Sequence, residues 1–211
     1  MFNAIKNNGL ILAIFACVST GMVAVTYYLT ADTIAKQQQA QLLSVLNQVI
    51  PHQLHDNDLY QACTLVSSPE LGSLEPMPAY IASLNGEPSA IAIEAIAPDG
   101  YNGAIKLIVA VDHSGTVTGS RILSHQETPG LGDKIDLRVT DWMLGFTGKL
   151  LNESNADSWK VRKDGGQFDQ FTGATITPRA VVKAIKRSVQ YVNLNREQLI
   201  KQTPNCGGAD E

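Results

Sequence analysis

The first strongly apolar stretch of the chain is long enough to cross a membrane. No residue in positions 7–31 is charged, and one helical span needs only about 20 apolar residues. Tyr27 and Tyr28 lie at the far end of the stretch, where amphipathic aromatic rings favour the membrane interface. The pattern predicts one N-terminal transmembrane helix over residues 9–30.

The residues that flank this stretch predict its orientation. Lys6 and the N-terminal amine precede it, and positive charge favours the cytoplasmic side. Residues 1–8 are therefore predicted to be a short cytoplasmic tail, with the main domain on the outer side of the membrane. The alternative is a cleaved signal peptide, whose apolar core is about 7–15 residues long and ends in small residues. This stretch is longer and ends in Tyr-Tyr-Leu-Thr, which favours a retained anchor.

A second pattern follows the span. Apolar residues recur at the three- and four-residue spacing of a helix, at Leu42, Val45, Leu46, Val49 and Ile50. The spacing predicts a helical linker over residues 31–50 that stops at Pro51. Residues 51–80 are predicted to be irregular, because three prolines interrupt any long element there: Pro69, Pro76 and Pro78.

The middle of the chain has the pattern of a β-sheet. Short apolar runs separated by turn residues predict three strands, over residues 90–97, 104–111 and 116–124. The turn Asp112-His-Ser-Gly115 joins the last two as a hairpin with a glycine-containing loop. Further along, residues 139–146 are predicted to form a short helix and residues 159–163 another strand.

The clearest helix is the last one. Thr177 is predicted to be its N-cap and Pro178 its first helical residue, where a missing N–H costs nothing. One apolar stripe follows, formed by Val181, Val182, Ile185, Val189 and Val192. The predicted fold is therefore α+β: a small, largely antiparallel sheet with helices over residues 51–211, preceded by one N-terminal transmembrane helix.

Charge and cysteine content exclude several classes of function. Lys and Arg number 16 against 20 Asp and Glu, a net charge of -4, so no basic face for nucleic acid is indicated. Cys17, Cys63 and Cys206 form no Cys-x-x-Cys or Cys/His cluster, and His52 and His55 follow the helix-breaking Pro51, so no metal site is predicted.

The cysteines leave one question open. In an oxidising compartment Cys63 and Cys206 can form a disulfide. Two free thiols are the alternative, and the spacing along the chain does not decide between them.

The stretch Thr172-Gly-Ala-Thr175 lies just before the last helix. A phosphate bound there would meet the unpaired N–H groups and the positive end of the helix dipole. Gly173 and Ala174 leave room for a large group, and Phe168 and Phe171 are predicted to cover an aromatic ring system. A plain capped turn explains the same residues.

A second candidate loop follows the third predicted strand. Its sequence is His-Gln-Glu-Thr-Pro-Gly-Leu-Gly over residues 125–132, and the Pro-Gly pair forces a turn. Glu127 and Thr128 on this loop are placed to bind a polar ring edge. A surface turn whose polar groups bond to each other is the alternative.

The two loops together resemble a known family. The run Asp169-Gln-Phe-Thr-Gly-Ala-Thr175 is similar to the flavinylation signal D-x-x-[S/T]-G-A-T of membrane-bound bacterial flavoproteins. With the loop 125–132 upstream and one anchor, the chain resembles the FMN-binding G subunits of Rnf complexes. The C subunit of the sodium-pumping NADH:quinone reductase is their relative. The likeness spans nearly the whole chain.

The resemblance implies a cofactor and the residues that hold it. In that family FMN is joined by a phosphoester to the last threonine of the motif, which would be Thr175 here, by a separate flavin transferase of the ApbE type. Asp169 would serve recognition by that transferase. The other residues implied at the site are Thr172, Gly173, Ala174, Glu127, Thr128, Leu131 and Gly132.

The resemblance also implies a function. The chain would be a one-flavin electron relay in an Rnf-type ion-translocating complex, with the other subunits and the membrane as partners. It would be anchored in a bacterial inner membrane, with its main domain in the periplasm. The sequence holds no G-x-G-x-x-G and no iron–sulfur cysteine spacing, so no catalytic residue and no NADH oxidation by the chain alone are expected. The alternative is a membrane-anchored assembly or binding module without a cofactor.

Overall fold

The computed structural model describes residues 2–206. Contacts between residues divide the chain into two compact units, and the boundary along the chain lies between Leu42 and Leu43. Helix α1 spans Phe2–Val49. Within the described part of the chain, one helix is long and apolar enough to cross a membrane, over Ile5–Val49. The predicted apolar helix and its helical continuation before Pro51 are therefore confirmed.

The second unit is built on a five-stranded antiparallel sheet. Its strands lie in chain order, so each strand pairs with its sequence neighbour. The three predicted strands are confirmed and correspond to the last three of the sheet. The bounds are β1 Cys63–Ser68, β2 Ser73–Leu84, β3 Glu87–Ala97, β4 Ile105–Asp112 and β5 Val117–Ser124.

The prediction that residues 51–80 are irregular is wrong, because β1 and most of β2 lie there. Pro76 and Pro78 belong to β2, yet β2 pairs with β3 only from Ala79 onward. Before that residue β2 has β1 as its single described strand neighbour. Proline is tolerated at such an edge, because its missing N–H then breaks no ladder.

Helix α2, Ile176–Lys201, packs against one face of the sheet. Its predicted apolar stripe is confirmed, since all five members are buried in the core. Strand residues such as Ile93, Leu107 and Val109 form the other side of that core. The alternate residues of the same strands, such as Ala92, are also buried on the opposite face.

The end of α1 covers part of that opposite face. Val49 is fully buried, and a Cβ added to Gly119 of β5 would lie 2.6 Å from the Val49 Cα. The Thr118 hydroxyl donates to the Val49 carbonyl at 2.6 Å. A glycine is required at position 119 because two backbones approach closely there.

The segment between β5 and α2 holds short 3-10 helices. One, Asp141–Phe146, confirms the predicted short helix. The predicted strand over residues 159–163 is wrong, because Val161 makes only an isolated bridge with Phe168. Trp159 and Val161 are buried in the core, so their alternation with polar residues reflects packing of a loop.

A disulfide joins Cys63 to Cys206, with the two Cα atoms 5.3 Å apart. The structure thus decides the question that the sequence left open. Around the disulfide, the Asn205 N–H donates to the Cys63 carbonyl at 2.8 Å, and the Leu65 N–H donates to Asn205 Oδ1 at 2.7 Å. These bonds fasten the segment after α2 to the edge of the sheet at β1.

Candidate functional site

Helix α2 starts two residues earlier than the sequence predicts. Thr175 is the N-cap and Ile176 the first helical residue, so the predicted cap at Thr177 is wrong. Thr177 is only 1% exposed, and its hydroxyl donates to Glu127 Oε2 instead of capping the helix. Pro178 still falls in the first turn, where no helical bond needs its N–H.

The Thr175 side chain is not used by the helix. It makes no capping hydrogen bond, and the residue is only partly buried. Its hydroxyl therefore lies at the positive end of α2, beside the unpaired N–H groups of the first turn. The arrangement is favourable for an anion next to the Thr175 oxygen.

A tight turn precedes this residue. The Ala174 N–H donates to the Phe171 carbonyl at 3.2 Å, which closes a β-turn over Phe171–Ala174. Gly173 has φ +83, a left-handed conformation that strains any L side chain. A Cβ added to Gly173 would also lie 3.4 Å from Leu131 Cδ2, so the turn packs near the loop 125–132.

Glu127 holds three segments together. It is 5% exposed, and its Oε1 accepts from the Asn102 N–H at 3.0 Å while its Oε2 accepts from Thr177. Its own N–H donates to His125 Nδ1 at 3.1 Å. The buried carboxylate thus joins the β3–β4 loop, the loop 125–132 and the start of α2 through charge-assisted hydrogen bonds.

Gly132 provides space at the centre of the site. A Cβ there would lie 2.7 Å from Glu127 Oε2 and 2.9 Å from Thr177 Oγ1. The N–H groups of Leu131 and Gly132 both donate to the Thr128 carbonyl at 3.1 Å. The Pro-Gly turn predicted in this loop is confirmed, and it brings Gly132 against α2.

These elements enclose a cavity of about 250 Å³ at the N-terminus of α2. Seven residues proposed from the sequence line it: Glu127, Thr128, Leu131, Gly132, Gly173, Ala174 and Thr175. Sequence reasoning missed three more lining residues, Tyr101, Ile176 and Thr177. The Tyr101 side chain is 68% exposed, so it stands at the mouth of the cavity.

Two proposed residues lie outside the cavity. Thr172 is exposed, and Asp169 is exposed with its Oδ1 3.0 Å from Arg162 Nη1. The Asp169 carbonyl accepts from Trp142 Nε1 at 2.9 Å, which fixes the backbone here. Both side chains therefore face solvent rather than the site.

Phe168 and Phe171 do not cover the cavity, so that prediction is wrong. They are 5% and 7% exposed and belong to the core. Phe168 stacks on Phe146 with ring centroids 4.3 Å apart, and Phe171 meets Trp142 edge-on at 5.2 Å. Burial of these large rings stabilises the loop that carries the β-turn Phe171–Ala174.

An ion pair fastens the preceding loop to α2. Arg179 Nε and Nη2 each donate to one Asp164 carboxylate oxygen at 2.6 Å. The hydrogen bond from Arg179 lowers the pKa of Asp164 below its usual range. Asp164-Gly-Gly166 is thereby held beside the first turns of the helix.

The space at Gly132 gives a direct test of the site geometry. We expect Gly132→Ala to lower the free energy of unfolding by about 1–3 kcal/mol, because the methyl group overpacks against Glu127 and Thr177. The matched control is Gly145→Ala, where an added Cβ meets nothing within 4 Å. We expect that control to stay within about 1 kcal/mol of wild type in urea unfolding. Equal effects from both variants would contradict the close packing at Gly132.

Comparison with known proteins decides the family. Residues 1–49 match the RnfG N-terminal region, and residues 100–190 match the FMN-binding domain. The G subunit of the ion-translocating oxidoreductase complex of Vibrio atlanticus is 72% identical over 208 residues, covering 99% of this chain and 100% of that protein. The chain belongs to the family of G subunits of ion-translocating oxidoreductase complexes. The family resemblance inferred from the motifs is thus confirmed.

A second relative aligns over its whole length. The corresponding G subunit of Vibrio parahaemolyticus is 66% identical over 211 residues, covering 100% of both chains. The crystal structure of Shewanella oneidensis NqrC is similar with a TM-score of 0.47 at 19% identity, covering 72% of this chain and 75% of that chain. Residues 100–190 include both loops of the cavity and the first half of α2.

Proposed function

We propose that this chain carries FMN covalently on Thr175 and relays electrons within its ion-translocating complex. One observation carries the proposal: the Thr175 hydroxyl lies on the cavity at the start of α2 and makes no capping bond. The match of residues 100–190 to the FMN-binding domain supports the same cofactor.

The start of α2 suits the phosphate end of the cofactor. The N–H groups of Ile176 and Thr177 belong to the first turn, where helical acceptors are absent. Together with the helix dipole they stabilise negative charge beside Thr175. The Thr175 oxygen would attack the FMN phosphorus of FAD on a flavin transferase of the ApbE type, with AMP as the leaving group.

The walls of the cavity suit one edge of a flat ring. Gly132 and Gly173 leave space, while Leu131 and Tyr101 offer apolar and aromatic surface. A cavity of about 250 Å³ is smaller than the roughly 300–1,000 Å³ of sites that bury a whole ligand. The chain would therefore leave much of the ring accessible to the next electron carrier. When bound, FMN supplies the redox chemistry, and the protein supplies its orientation and electrostatics.

The exposed part of the motif suits recognition by another protein. Thr172 faces solvent on the turn that leads to Thr175, and Asp169 faces solvent just before that turn. We propose that Asp169 contacts the flavin transferase. Thr172 would shape the turn that the transferase recognises.

A direct experiment separates this function from that of a cofactor-free module. The full chain is purified from membranes of cells with and without an active flavin transferase, then denatured and passed through a desalting column. We expect flavin absorbance to remain with the denatured protein only when the transferase is present. Protein without colour from cells with the transferase, and with a control flavoprotein labelled there, would favour the cofactor-free module.

The proposed topology has its own test. We expect alkaline phosphatase fused after Glu211 to be active, because that reporter needs the oxidising periplasm for its disulfides. The same reporter fused after Asn8, before most of the apolar helix, is expected to be inactive. An inactive fusion after Glu211, in full-length protein detected by immunoblot, would contradict a periplasmic domain.

A further inference from the structure

Positive charge is concentrated on both sides of Thr175 along the chain. Residues 157–186 hold six Lys and Arg against three Asp and Glu, although the whole chain holds 16 against 20. The other residues therefore hold ten cations and 17 carboxylates. The segment that carries Thr175 is the cationic part of an acidic protein, and this contrast favours a partner of negative charge.

Four of these cations line one groove beside the first turns of α2. Its volume is about 270 Å³, and it is distinct from the cavity at Thr175. Its floor is apolar, because Trp159, Val161 and Val182 are each at most 2% exposed. We name it the cationic groove after the charged residues that line it, which are Lys160, Arg179, Lys183 and Lys186, with Asp164.

These cations do not stabilise the helix that carries most of them. Residues 176–190, the first half of α2, hold four cations and no carboxylate. A cation near the start of a helix, such as Arg179, opposes the helix dipole. Like charges four residues apart, as at Arg179 and Lys183, repel each other. Negative charge supplied by another molecule would offset both effects.

The carboxylates of the chain itself leave these lysines open to a partner. Lys183 Nζ lies 2.7 Å from Asp99 Oδ2, and the two side chains are 59% and 45% exposed. Lys186 Nζ donates to the Ala156 carbonyl at 2.6 Å, and among residues 2–206 it forms no ion pair. Exposed ion pairs contribute little to stability, so the carboxylate of another protein can share these lysines at little cost.

The groove is continuous with the surface from which Thr175 is reached. At about 100° and 1.5 Å per residue, Lys183 and Lys186 lie within about 80° of Thr175 around the axis of α2, and about 12–16 Å along it. Asp99, which pairs with Lys183, is two residues from Tyr101 at the mouth of the cavity. A protein interface of ordinary size covers about 800 Å² on each partner, a patch about 30 Å across. A protein that covers Thr175 therefore covers the groove as well.

We propose that the cationic groove docks an acidic surface of the flavin transferase while FMN is attached. Carboxylates of the transferase would bind Lys183 and Lys186, and its active site would receive Thr175. The transferase must bring FAD against Thr175 itself, whereas an electron carrier needs only an edge of the flavin ring and a lipid headgroup needs neither. The inference rests on the proposed function, because it concerns the enzyme that would load the same site.

The test measures labelling of the purified full-length chain in detergent by purified transferase, with FAD and Mg²⁺. For the double change Lys183→Gln and Lys186→Gln, we expect the KM for the chain to rise about tenfold and kcat to stay within about twofold of wild type. Docking charge is lost, but the chemistry at Thr175 is kept. Raising the ionic strength from about 0.05 M to about 0.3 M is expected to raise the wild-type KM toward that of the variant, and to change the variant little.

The matched control is the double change Lys149→Gln and Lys201→Gln, which removes two exposed lysines outside the groove. We expect a wild-type KM from this control. A wild-type KM for the groove variant, an equal rise in both double variants, or a fall in kcat alone would overturn the inference. A wild-type chain that takes no label would overturn the proposed function itself, and the inference with it.

Zero-length cross-linking tests the contact without changing the groove. A carbodiimide joins a lysine amine to a carboxylate only where the two groups touch. The Thr175→Ala chain cannot be labelled at that residue, so it would form a complex with the FAD-loaded transferase that does not turn over. We expect mass spectrometry to find Lys183 or Lys186 joined to an Asp or Glu of the transferase. The absence of such a cross-link, or cross-links to the transferase only from Lys149 or Lys201, would overturn the inference.

Discussion

Thr175→Ala is expected to abolish covalent flavin completely while the domain stays folded. The change removes the one oxygen that the proposed phosphoester needs. Loss of a threonine N-cap usually costs about 0.5–2 kcal/mol, but this side chain makes no capping bond, so we expect the low end of that range. The measurement is a denaturing gel viewed under ultraviolet light, for protein co-expressed with an active flavin transferase.

Two neighbouring threonines provide the controls. Thr172→Ser keeps a hydroxyl that the flavinylation motif accepts, so we expect a fluorescent band. Thr177 is 1% exposed and its hydroxyl donates to Glu127, so we do not expect it to be modified in place of Thr175. A fluorescent band from Thr175→Ala would move the attachment to another residue, with exposed Thr172 first.

Removal of the disulfide is expected to have the largest effect on stability. The double change Cys63→Ser and Cys206→Ser opens a cross-link between residues 143 positions apart. We expect the free energy of unfolding to fall by about 2–5 kcal/mol, because the unfolded chain gains conformational freedom. Urea unfolding monitored by the fluorescence of Trp142 and Trp159, both within the folded domain, measures the change.

The third cysteine provides the matched control. Cys17 is exposed on α1 and forms no disulfide, so Cys17→Ser is expected to leave the unfolding midpoint unchanged. A double serine variant as stable as wild type would show that hydrogen bonds such as those of Asn205 and Gln202 fasten the last segment to β1 without the disulfide.

Elements defined by a local pattern could be predicted from the sequence. The long uncharged stretch of α1, the short apolar runs of β3–β5 and the apolar stripe of α2 are each visible in the local sequence. The turn at Pro129-Gly130 is equally local. These elements place the two candidate loops in order along the chain.

Elements that depend on distant residues could not be predicted in this way. Pro76 and Pro78 indicate a break, and they are tolerated in β2 only because β3 pairs from Ala79 onward. The alternation at Trp159 and Val161 is typical of a strand, but here it reflects a loop packed on the core.

The site shows the same division. The glycines and threonines of the motif were predicted because their spacing is local, and the cavity contains most of them. The local sequence favours Thr177 as the cap, because a threonine there precedes a proline and the valine-rich helix. Its true hydrogen-bond acceptor, Glu127, is 50 residues away in sequence and so is not visible in the local pattern. Tyr101 was missed because its loop reaches the cavity through bonds to residues distant in sequence, from the Asn102 N–H to Glu127 and from Asn102 Nδ2 to the Gln126 carbonyl.

Peptide mass spectrometry of the flavinylated protein is the most direct test of the proposed attachment. Trypsin cleavage after Lys163 and after Arg179 releases residues 164–179, which contain Thr172, Thr175 and Thr177. We expect this peptide to carry the mass of FMN, with fragment ions that place it on Thr175. Two results would contradict covalent attachment at Thr175. One is an unmodified peptide from protein co-expressed with an active transferase, and the other is a set of fragments that places FMN on another residue.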